Sequence, residues 1–312
     1  MRAMIKRSLV PLALVAVGLI APSVAQAKAK AVTCGQVVKA DLTLTKDLDC
    51  STVDSGGLVV GKDGITIDLN GHTISGAGAS ALNEGIENEG HDEVTIRGGV
   101  ITGFQDSLFF GNVAKNTVTK MKLRSGEPAT SNGISSTYGT GNRFIDNKFF
   151  SPNYGIVLAN GSENEISGNT FKLPNRAVSS TNEAFDDISD NTSVGFGLST
   201  YAFYSQGDYR TTFENDVADG GYQGFIINKP QGVVLKGVEA NENGYAGIYI
   251  DGPSTKDYVQ GYSAKVVKST ANDNDEYGIY AAFGIMSRAN TALGNDFYNC
   301  VLAACNGPKK RK

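Results

Sequence analysis

The sequence predicts an all-β fold in which short strands wind into a stack of similar coils. Residues 132–195 fall into three similar rows, which open at Asn132, Tyr154 and Arg176. Each row holds short β-branched or aromatic runs interrupted by Gly, Asn, Asp and Ser, which indicates strands and turns. Four columns recur down the rows: Ile134/Ile156/Val178, Phe144/Ile166/Ile188, Asn147/Asn169/Asn191 and Phe149/Phe171/Ser193. One row cannot bury its apolar face, but a column of stacked rows can.

The first 27 residues have the pattern of a secretory signal peptide. A basic segment precedes a short apolar core, and Ala25-Gln26-Ala27 supplies a small-x-small cleavage site. We therefore expect cleavage after Ala27 and a secreted or periplasmic protein.

Residues 28–56 are expected to form an N-terminal cap, and the four cysteines lie near the two ends of the mature chain. An even number of cysteines in an oxidising compartment favours disulfides, and local pairing is the simplest arrangement. A zinc site is the alternative, but no pair has CxxC spacing and no histidine lies near either pair. We predict two bridges, Cys34 with Cys50 and Cys300 with Cys305.

Residues 57–300 carry the predicted coils, and 301–312 form a tail. Ile65, Ile67 and Leu69 alternate, as in a strand with one buried face. Later rows open on an apolar anchor at nearly even steps, and the last step, which ends at Ile279, is the longest. The spacing predicts about ten coils and a protruding loop around Pro253–Tyr262. The anchors are Ile86, Phe109, Ile134, Ile156, Val178, Phe203, Phe225, Ile248 and Ile279.

The segment GITIDLNGHTISG (64–76), followed by Gly-Ile rows with a recurrent Asn, resembles the right-handed parallel β-helix proteins of the pectin-lyase-like superfamily. The resemblance implies three parallel sheets in a right-handed coil with an inward Asn ladder. A leucine-rich repeat is disfavoured because its L-x-x-L-x-L scaffold is missing. The ladder is expected to comprise Asn147, Asn169, Asn191, Asn215, Asn241, Asn272 and Asn295.

Charge limits the partners. The chain carries a formal net charge of −4, which becomes −7 when three basic signal-peptide residues are removed. This balance argues against nucleic acid, which requires a basic face, and disfavours a polyanion unless a cation mediates. No later segment reaches transmembrane length, so we expect no transmembrane segment in the mature chain. The sequence carries no signal for oligomeric state.

The first candidate site is a catalytic pair of carboxylates. Glu165 and Asp187 are predicted to face outward on neighbouring coils, with Arg143 and Thr211 in the same column. One strand spacing is close to the carboxylate separation of a retaining glycosidase. The alternative is an exposed ladder of ion pairs without a catalytic role.

The second candidate is a binding stripe on the outward positions that follow each anchor. Aromatic rings beside hydrogen-bonding groups suit the apolar faces and hydroxyls of sugars. The alternative is the ordinary preference of tyrosine for strands. The predicted binding residues are Tyr204, Gln206, Asn228, Tyr249, Asp251 and Tyr280.

Lyase chemistry would need a base beside a uronate carboxylate, and Asp208-Tyr209-Arg210 with the loop residues around Lys256 could supply one. No cofactor is predicted. Ca²⁺ could bind Asp186-Asp187 or residues 272–275, but the simpler interpretation of these segments is that they form turns. Copper handling, as in some relatives of this fold, would need soft or imidazole ligands, and the candidates are scattered. The spaced motifs of polygalacturonases and mannuronan epimerases are absent.

The sequence therefore predicts a secreted β-helix protein that binds a glycan or polysaccharide, with catalysis left open. One alternative is a polysaccharide lyase or glycoside hydrolase. The other is a non-catalytic structural or adhesive protein of the cell surface.

Overall fold

A computed structural model describes residues 31–53, 55–78, 83–124, 131–150, 153–172, 175–195, 200–252 and 262–306. The predicted signal peptide and residues 253–261 of the predicted loop lie outside these ranges. The described residues form 33 strands and no helix, so none of their segments is a helix that could cross a membrane.

The strands, in chain order, are short and evenly spaced: β1 (Gln36–Val38), β2 (Leu42–Thr43), β3 (Leu48–Asp49), β4 (Leu58–Val60), β5 (Thr66–Asp68), β6 (Thr73–Ser75), β7 (Glu84–Glu89), β8 (Thr95–Arg97), β9 (Val100–Thr102), β10 (Asp106–Gly111), β11 (Thr117–Thr119), β12 (Lys122–Arg124), β13 (Asn132–Thr137), β14 (Arg143–Ile145), β15 (Lys148–Phe150), β16 (Tyr154–Ala159), β17 (Glu165–Ser167), β18 (Thr170–Lys172), β19 (Arg176–Thr181), β20 (Asp187–Ser189), β21 (Thr192–Val194), β22 (Tyr201–Gln206), β23 (Thr212–Glu214), β24 (Val217–Asp219), β25 (Gln223–Asn228), β26 (Gln231–Lys236), β27 (Ala246–Asp251), β28 (Ser263–Val267), β29 (Tyr277–Ala281), β30 (Met286–Arg288), β31 (Asn290–Thr291), β32 (Tyr298–Val301) and β33 (Cys305–Asn306).

The strands build three parallel sheets wound as a right-handed β-helix, as predicted. Sheet 1 has twelve strands (β1, β4, β7, β10, β13, β16, β19, β22, β25, β27, β29, β32), and sheet 2 has eleven (β2, β5, β8, β11, β14, β17, β20, β23, β26, β28, β30). Sheet 3 has eight (β3 to β24 at every third strand), and β31 pairs separately with β33. Strand pairing already begins at β1, which lies in the segment expected to be a cap and pairs in parallel with β4.

The predicted columns are neighbours in register. Ile134 pairs with Ile156, which pairs with Val178, and the phenylalanine and isoleucine columns behave in the same way. One anchor is displaced: Leu108, not Phe109, pairs with Ile86 and Ile134 and is buried. A one-residue shift exchanges the inward and outward faces of a strand, so Phe109 lies on the outer side.

The Asn ladder runs along the corner between sheets 2 and 3. The backbone N–H of Asn147 donates to Asn169 Oδ1 at 2.9 Å, and that of Asn169 donates to Asn191 Oδ1 at 3.0 Å. The last member is Asp216, whose Oδ1 accepts the backbone N–H of Asn191 at 2.9 Å. Each ladder residue is buried, so these bonds satisfy backbone donors that water cannot reach.

The predicted continuation of this ladder through Asn215, Asn241, Asn272 and Asn295 is wrong. Asn215 occupies the left-handed position that precedes each ladder residue, with a φ of 57°, as do Asp146 at 55° and Asp190 at 55°. Asn tolerates this conformation because its short polar side chain can bond locally. The other three belong to different corners or to an outer row of hydrogen bonds.

Two further ladders hold the remaining corners. Between sheets 1 and 2 the buried members are Asn116, Asn142, Asn164 and Asp186. Between sheets 3 and 1 they are Asn243, Asn274 and Asn295. The structure therefore has a ladder at each of the three corners, whereas the sequence analysis predicted a single ladder.

Inside the coils, residue size is matched between sheets 1 and 3. Phe149 and Phe171 stack with ring centroids 4.6 Å apart. A Cβ at Gly155 would lie 2.4 Å from Phe171 Cδ1 and 2.5 Å from the carbonyl oxygen of Ala177, so both the ring and the neighbouring backbone favour glycine here. In the next coil Ala177 replaces the glycine and Ser193 replaces the phenylalanine.

Both predicted disulfides are present, Cys34–Cys50 near the first coil and Cys300–Cys305 near the last. They cross-link the two ends of the described stack, where strand edges have a neighbour on one side only.

Candidate functional site

The outer face of sheet 1 carries most of the described tyrosines. In its six-residue strands the first, fourth and sixth residues are typically the partly exposed ones, as in Tyr154–Ala159. Parallel pairing stacks these positions in columns, in which residues of successive coils are about 4.8 Å apart. The tyrosines of these columns are all half-buried: Tyr154, Tyr201, Tyr204, Tyr249, Tyr277, Tyr280 and Tyr298.

The rings in the C-terminal half pack against one another. Tyr249 and Tyr280 are adjacent in register, with centroids 4.7 Å apart and planes inclined by 8°. Tyr277 meets Tyr280 edge-on at 5.3 Å, and Tyr245 at the adjoining corner contacts Tyr249 at 6.0 Å. Mutual packing restricts these rings to one arrangement, so they form a preorganised aromatic surface.

Polar side chains border this surface along the sixth position of the strands. Gln206, Asn228 and Asp251 follow one another in register, as the sequence predicted. Together with Lys229 and Gly252 they line a cavity of about 200 Å³. Tyr204 Oη donates to Gln206 Oε1 and accepts from Asn228 Nδ2 at 3.3 Å, which ties the aromatic column to the polar one. The predicted binding residues thus converge on one face.

A larger cavity of about 900 Å³ lies at the C-terminal end of the described stack, between the last strands and residues 300–305. Tyr277, Tyr280 and Tyr298 supply its aromatic lining, and Ser287 and Asn299 supply polar groups. This combination of apolar wall and a few polar groups is typical of small-molecule and sugar sites.

Tyr245, Tyr249 and Tyr277 are suited to donate hydrogen bonds and not to act as bases. Burial raises the pKa of Tyr245 to about 12, with a smaller contribution from Tyr249. Burial and then Asp251 raise the pKa of Tyr249, and burial followed by Glu276 raises that of Tyr277. A tyrosine base would need its pKa lowered towards neutrality, so these residues provide protonated O–H groups and ring faces.

The predicted carboxylate column lies on the outer face of sheet 2. Arg143, Glu165 and Asp187 are register neighbours, and Arg143 Nε donates to Glu165 Oε2 at 2.7 Å. The next member is Thr212, because the predicted Thr211 is buried on the inner side.

The environments of the two carboxylates differ. The hydrogen bond from Arg143 lowers the pKa of Glu165. Burial, followed by repulsion from Glu165 and Glu214, raises the pKa of Asp187. A pair with opposite shifts is the pattern expected for a base or nucleophile beside an acid.

The expected lyase cluster does not assemble within the described residues. Asp208 is fully buried and accepts hydrogen bonds from the hydroxyls of Ser180 and Ser205. Tyr209 and Arg210 lie outside, where the guanidinium carbon is 5.0 Å from the Tyr209 ring centroid. Lys256, Asp257 and Tyr258 belong to the segment outside the described ranges.

The family profile of NosD, a periplasmic copper-binding protein, matches residues 44–201, about half of the chain. The chain belongs to the NosD family. Among solved structures, the catalytic domain of a GH87 α-1,3-glucanase in complex with nigerose aligns with a TM-score of 0.58 at 13% identity. The periplasmic alginate epimerase AlgG aligns with a TM-score of 0.59 at 13% identity.

These alignments cover 89% and 79% of the NosD-family chain and 63% and 64% of the respective structures. The chain thus spans somewhat less than two thirds of the length of these structures. At sequence identities this low, the structural similarity shows that the fold is shared and nothing more. No curated protein matches the sequence significantly.

The residues described for this NosD-family chain do not fit a copper site. Its four cysteines are all in disulfides. His72 and His91 lie at different corners, where Asp47 and Asp63 contact their Nδ1 atoms at 3.2 and 2.8 Å. In the described ranges no three His, Cys, Asp or Glu side chains gather in a group that could hold a metal ion.

Sequence reasoning placed Asp186 and Asp208 in candidate sites but missed that they are buried with Glu183 at the corner between sheets 1 and 2. Glu183, Asp186 and Asp208 are all at most 2% exposed. Burial, together with the neighbouring carboxyl groups, raises the pKa of Glu183 to about 9 and that of Asp186 to about 7. A signal existed for Asp186, which stands one repeat period after Asn164 in the ladder column. These groups are sealed inside the coils and cannot meet a ligand.

Sequence reasoning also missed Arg176, which heads β19 and lies on the face of sheet 1. The sequence spacing could have predicted this position, because Arg176 stands one repeat period after Tyr154 and pairs with it in register.

Proposed function

We propose that this NosD-family protein binds a glycan along the outer face of sheet 1. The observation that carries the proposal is a packed tyrosine column that runs beside the amide and carboxylate groups of Gln206, Asn228 and Asp251, which themselves line a cavity. Sugar rings stack their C–H faces on aromatic rings, while their hydroxyls need donors and acceptors beside those rings.

Several features support this assignment. The columns extend over successive coils, which suits a chain of repeated sugars better than an isolated small molecule. The fold is shared with a glucanase that was solved in complex with nigerose and with an alginate epimerase. Two disulfides are consistent with an oxidising compartment outside the cytoplasm, where such polymers occur. We further propose that the chain is exported by cleavage after Ala27.

The test is a glycan array followed by titration calorimetry with the best oligosaccharide. Tyr249→Ala removes one stacked ring and Asp251→Asn alters the polar border, so each should weaken binding by about tenfold. Tyr138→Ala serves as a matched control because that ring is 57% exposed away from the tyrosine columns of sheet 1. Equal losses in all three variants, or no binding to any glycan, would refute the proposal and favour a structural role.

Hydrolysis at Glu165 and Asp187 is the second candidate, and the opposite pKa shifts of the two groups favour it. In this scheme Glu165 would attack the sugar and Asp187 would protonate the leaving oxygen. We propose to measure reducing-end release with Glu165→Gln and Asp187→Asn, using Asp68→Asn on the same sheet, whose carboxylate pairs with Arg97, as control. Activity that both site variants retain would eliminate this pair, and an unsaturated product would indicate a lyase.

A further inference from the structure

Arg176 lies in the middle of the face of sheet 1 and differs from its surroundings. It is the single Lys or Arg in the twelve strands of this sheet. Its guanidinium carbon is 4.0 Å from the ring centroid of Tyr204, 5.3 Å from that of Tyr154 and 5.7 Å from that of Tyr201. Three aromatic rings on adjoining coils hold the cation in place by cation–π attraction.

The guanidinium has no anionic partner in the described part of the chain. Elsewhere on the surface, Arg143 pairs with Glu165 and Arg97 with Asp68. Arg176 Nη1 instead donates to Ser179 Oγ at 3.3 Å, and its Nε is buried without an acceptor. The buried Nε is out of reach of a ligand, but the side chain as a whole is only half-buried and its charge is not neutralised, so an anion at the outer guanidinium nitrogens would supply the missing partner.

The surrounding charges restrict what that ligand can be. The strands of sheet 1 carry five carboxylates, four near the N-terminal end (Glu84, Glu87, Glu89 and Asp106) and one, Asp251, towards the C-terminal end. A polymer with an acidic group on every sugar would be repelled at both ends of the face. The hydroxyls of a fully neutral polymer could accept hydrogen bonds from Arg176 but would leave its charge without an anionic partner.

We propose that Arg176 binds a single acidic substituent, a carboxylate or sulfate, on an otherwise neutral glycan. This inference rests on the proposed glycan binding and specifies its substrate class. The planar guanidinium can donate two parallel hydrogen bonds to such an oxyanion, which fixes the position of the acidic sugar. Because β19 and β27 are three coils apart, that sugar would lie about 14 Å from the ring stacked on Tyr249.

The test uses an array of matched oligosaccharides on several backbones. Each neutral oligosaccharide is paired with the same molecule carrying one uronate or one sulfate, and an alginate hexamer represents the polyanion. We expect the singly acidic members to bind about tenfold or more tightly than their neutral partners, as a hydrogen-bonded charge pair would give. The two acidic arms distinguish carboxylate from sulfate.

Arg176→Met keeps much of the apolar contact with the tyrosines but removes the charge, and should abolish the preference while neutral members bind as before. Arg176→Lys should restore part of it. Arg210→Met is the matched control, because that guanidinium also lies over a tyrosine but away from this face. Circular dichroism melting checks that each variant is folded.

The outcomes separate the inference from the proposed function. No binding to any member would overturn glycan binding itself and this inference with it. Binding with equal affinity for neutral and acidic members, a preference that survives Arg176→Met, or tightest binding of the alginate hexamer would overturn the role of Arg176 alone.

Discussion

Asp216 should be replaceable by Asn with a gain in stability, because it occupies an Asn position at the end of a ladder. Asn169 Nδ2 donates to the carbonyl of Phe144, and Asn191 Nδ2 donates to the carbonyl of Ile166, both at 2.8 Å. The equivalent carbonyl for residue 216 is that of Ile188. Asp216 Oδ2 is buried without a partner, so an ionised side chain leaves an acceptor unsatisfied.

The sign of the pH dependence follows from burial, which raises the pKa of Asp216 well above its ordinary value. In the unfolded chain the group ionises near pH 4, whereas the folded chain retains the proton to higher pH. Folding therefore takes up a proton above about pH 4, and the free energy of unfolding falls as pH rises towards the folded-state pKa.

An Asn amide supplies the missing donor without a proton, so Asp216→Asn should raise the free energy of unfolding at pH 7 by about 1–3 kcal/mol. The gain should shrink near pH 4, where the carboxyl group is protonated in the folded state and about half protonated in the unfolded chain. Urea denaturation followed by far-ultraviolet circular dichroism at pH 4, 7 and 8 measures this difference.

Two control variants sharpen the experiment. Asp146→Asn alters an exposed side chain at the equivalent left-handed position three coils earlier and should change the stability by no more than about 0.5 kcal/mol. Asn191→Asp places a second carboxyl group in the ladder and should destabilise by about 2–3 kcal/mol. If Asp216→Asn lowered the stability at pH 7, or left its pH dependence unchanged, the ladder argument would be wrong.

Three further predictions concern the coils. Asp186→Asn should stabilise the protein more at pH 8 than at pH 4, because burial raises the pKa of Asp186 to about 7 and its proton is lost across that interval; urea denaturation at both pH values measures the difference, and equal gains would contradict it. Gly155→Ala should cost about 1–3 kcal/mol through its clashes with the Phe171 ring and the Ala177 carbonyl oxygen, and a double variant with Phe171→Leu, which relieves the first clash, should cost less than the sum in the same assay. Removing the Cys34–Cys50 bridge, which joins residues 16 apart, should cost about 3 kcal/mol in thermal or urea unfolding, whereas an unchanged stability would show that the first coil is held without it.

The period of the sequence is sufficient to predict the fold and most facing assignments. Residues one period apart become register neighbours, so the adjacency of Glu165 with Asp187, and of Tyr249 with Tyr280 across the longer last step, follows from the sequence alone. Hydrophobic periodicity works here because each coil repeats the same burial pattern.

The errors come from positions where the step departs from the common period. From Asn191 the ladder continues to Asp216 after a longer step. The prediction chose the adjacent Asn215 because it has the residue type of the earlier ladder members. An Asp can end an Asn ladder because a protonated carboxyl group offers a donor and an acceptor, as the Asn amide does. A search for repeated Asn residues does not detect this substitution. Phe109 was mistaken for an anchor in a similar way, since a bulky residue on the outer face resembles a core residue in sequence.

The candidate site was predicted in part. The tyrosine and amide columns follow from the period, but the importance of Arg176 depends on three rings from neighbouring coils and on the lack of a carboxylate nearby in the described chain. Such a property belongs to the assembled surface and to no single segment. The interior position of Asp208 likewise follows from its contacts with Ser180 and Ser205, which lie on two different coils.

The uniform rows between residues 132 and 195 make the molecule extensible. Because every ladder bond joins one row to the same atoms of the next, a whole row can be duplicated or deleted with donors and acceptors still matched. Each such event would lengthen or shorten the aromatic face by about 4.8 Å and leave the two terminal bridges untouched. Related proteins with different numbers of rows would therefore present aromatic faces of different length and contact correspondingly longer or shorter stretches of a polymer.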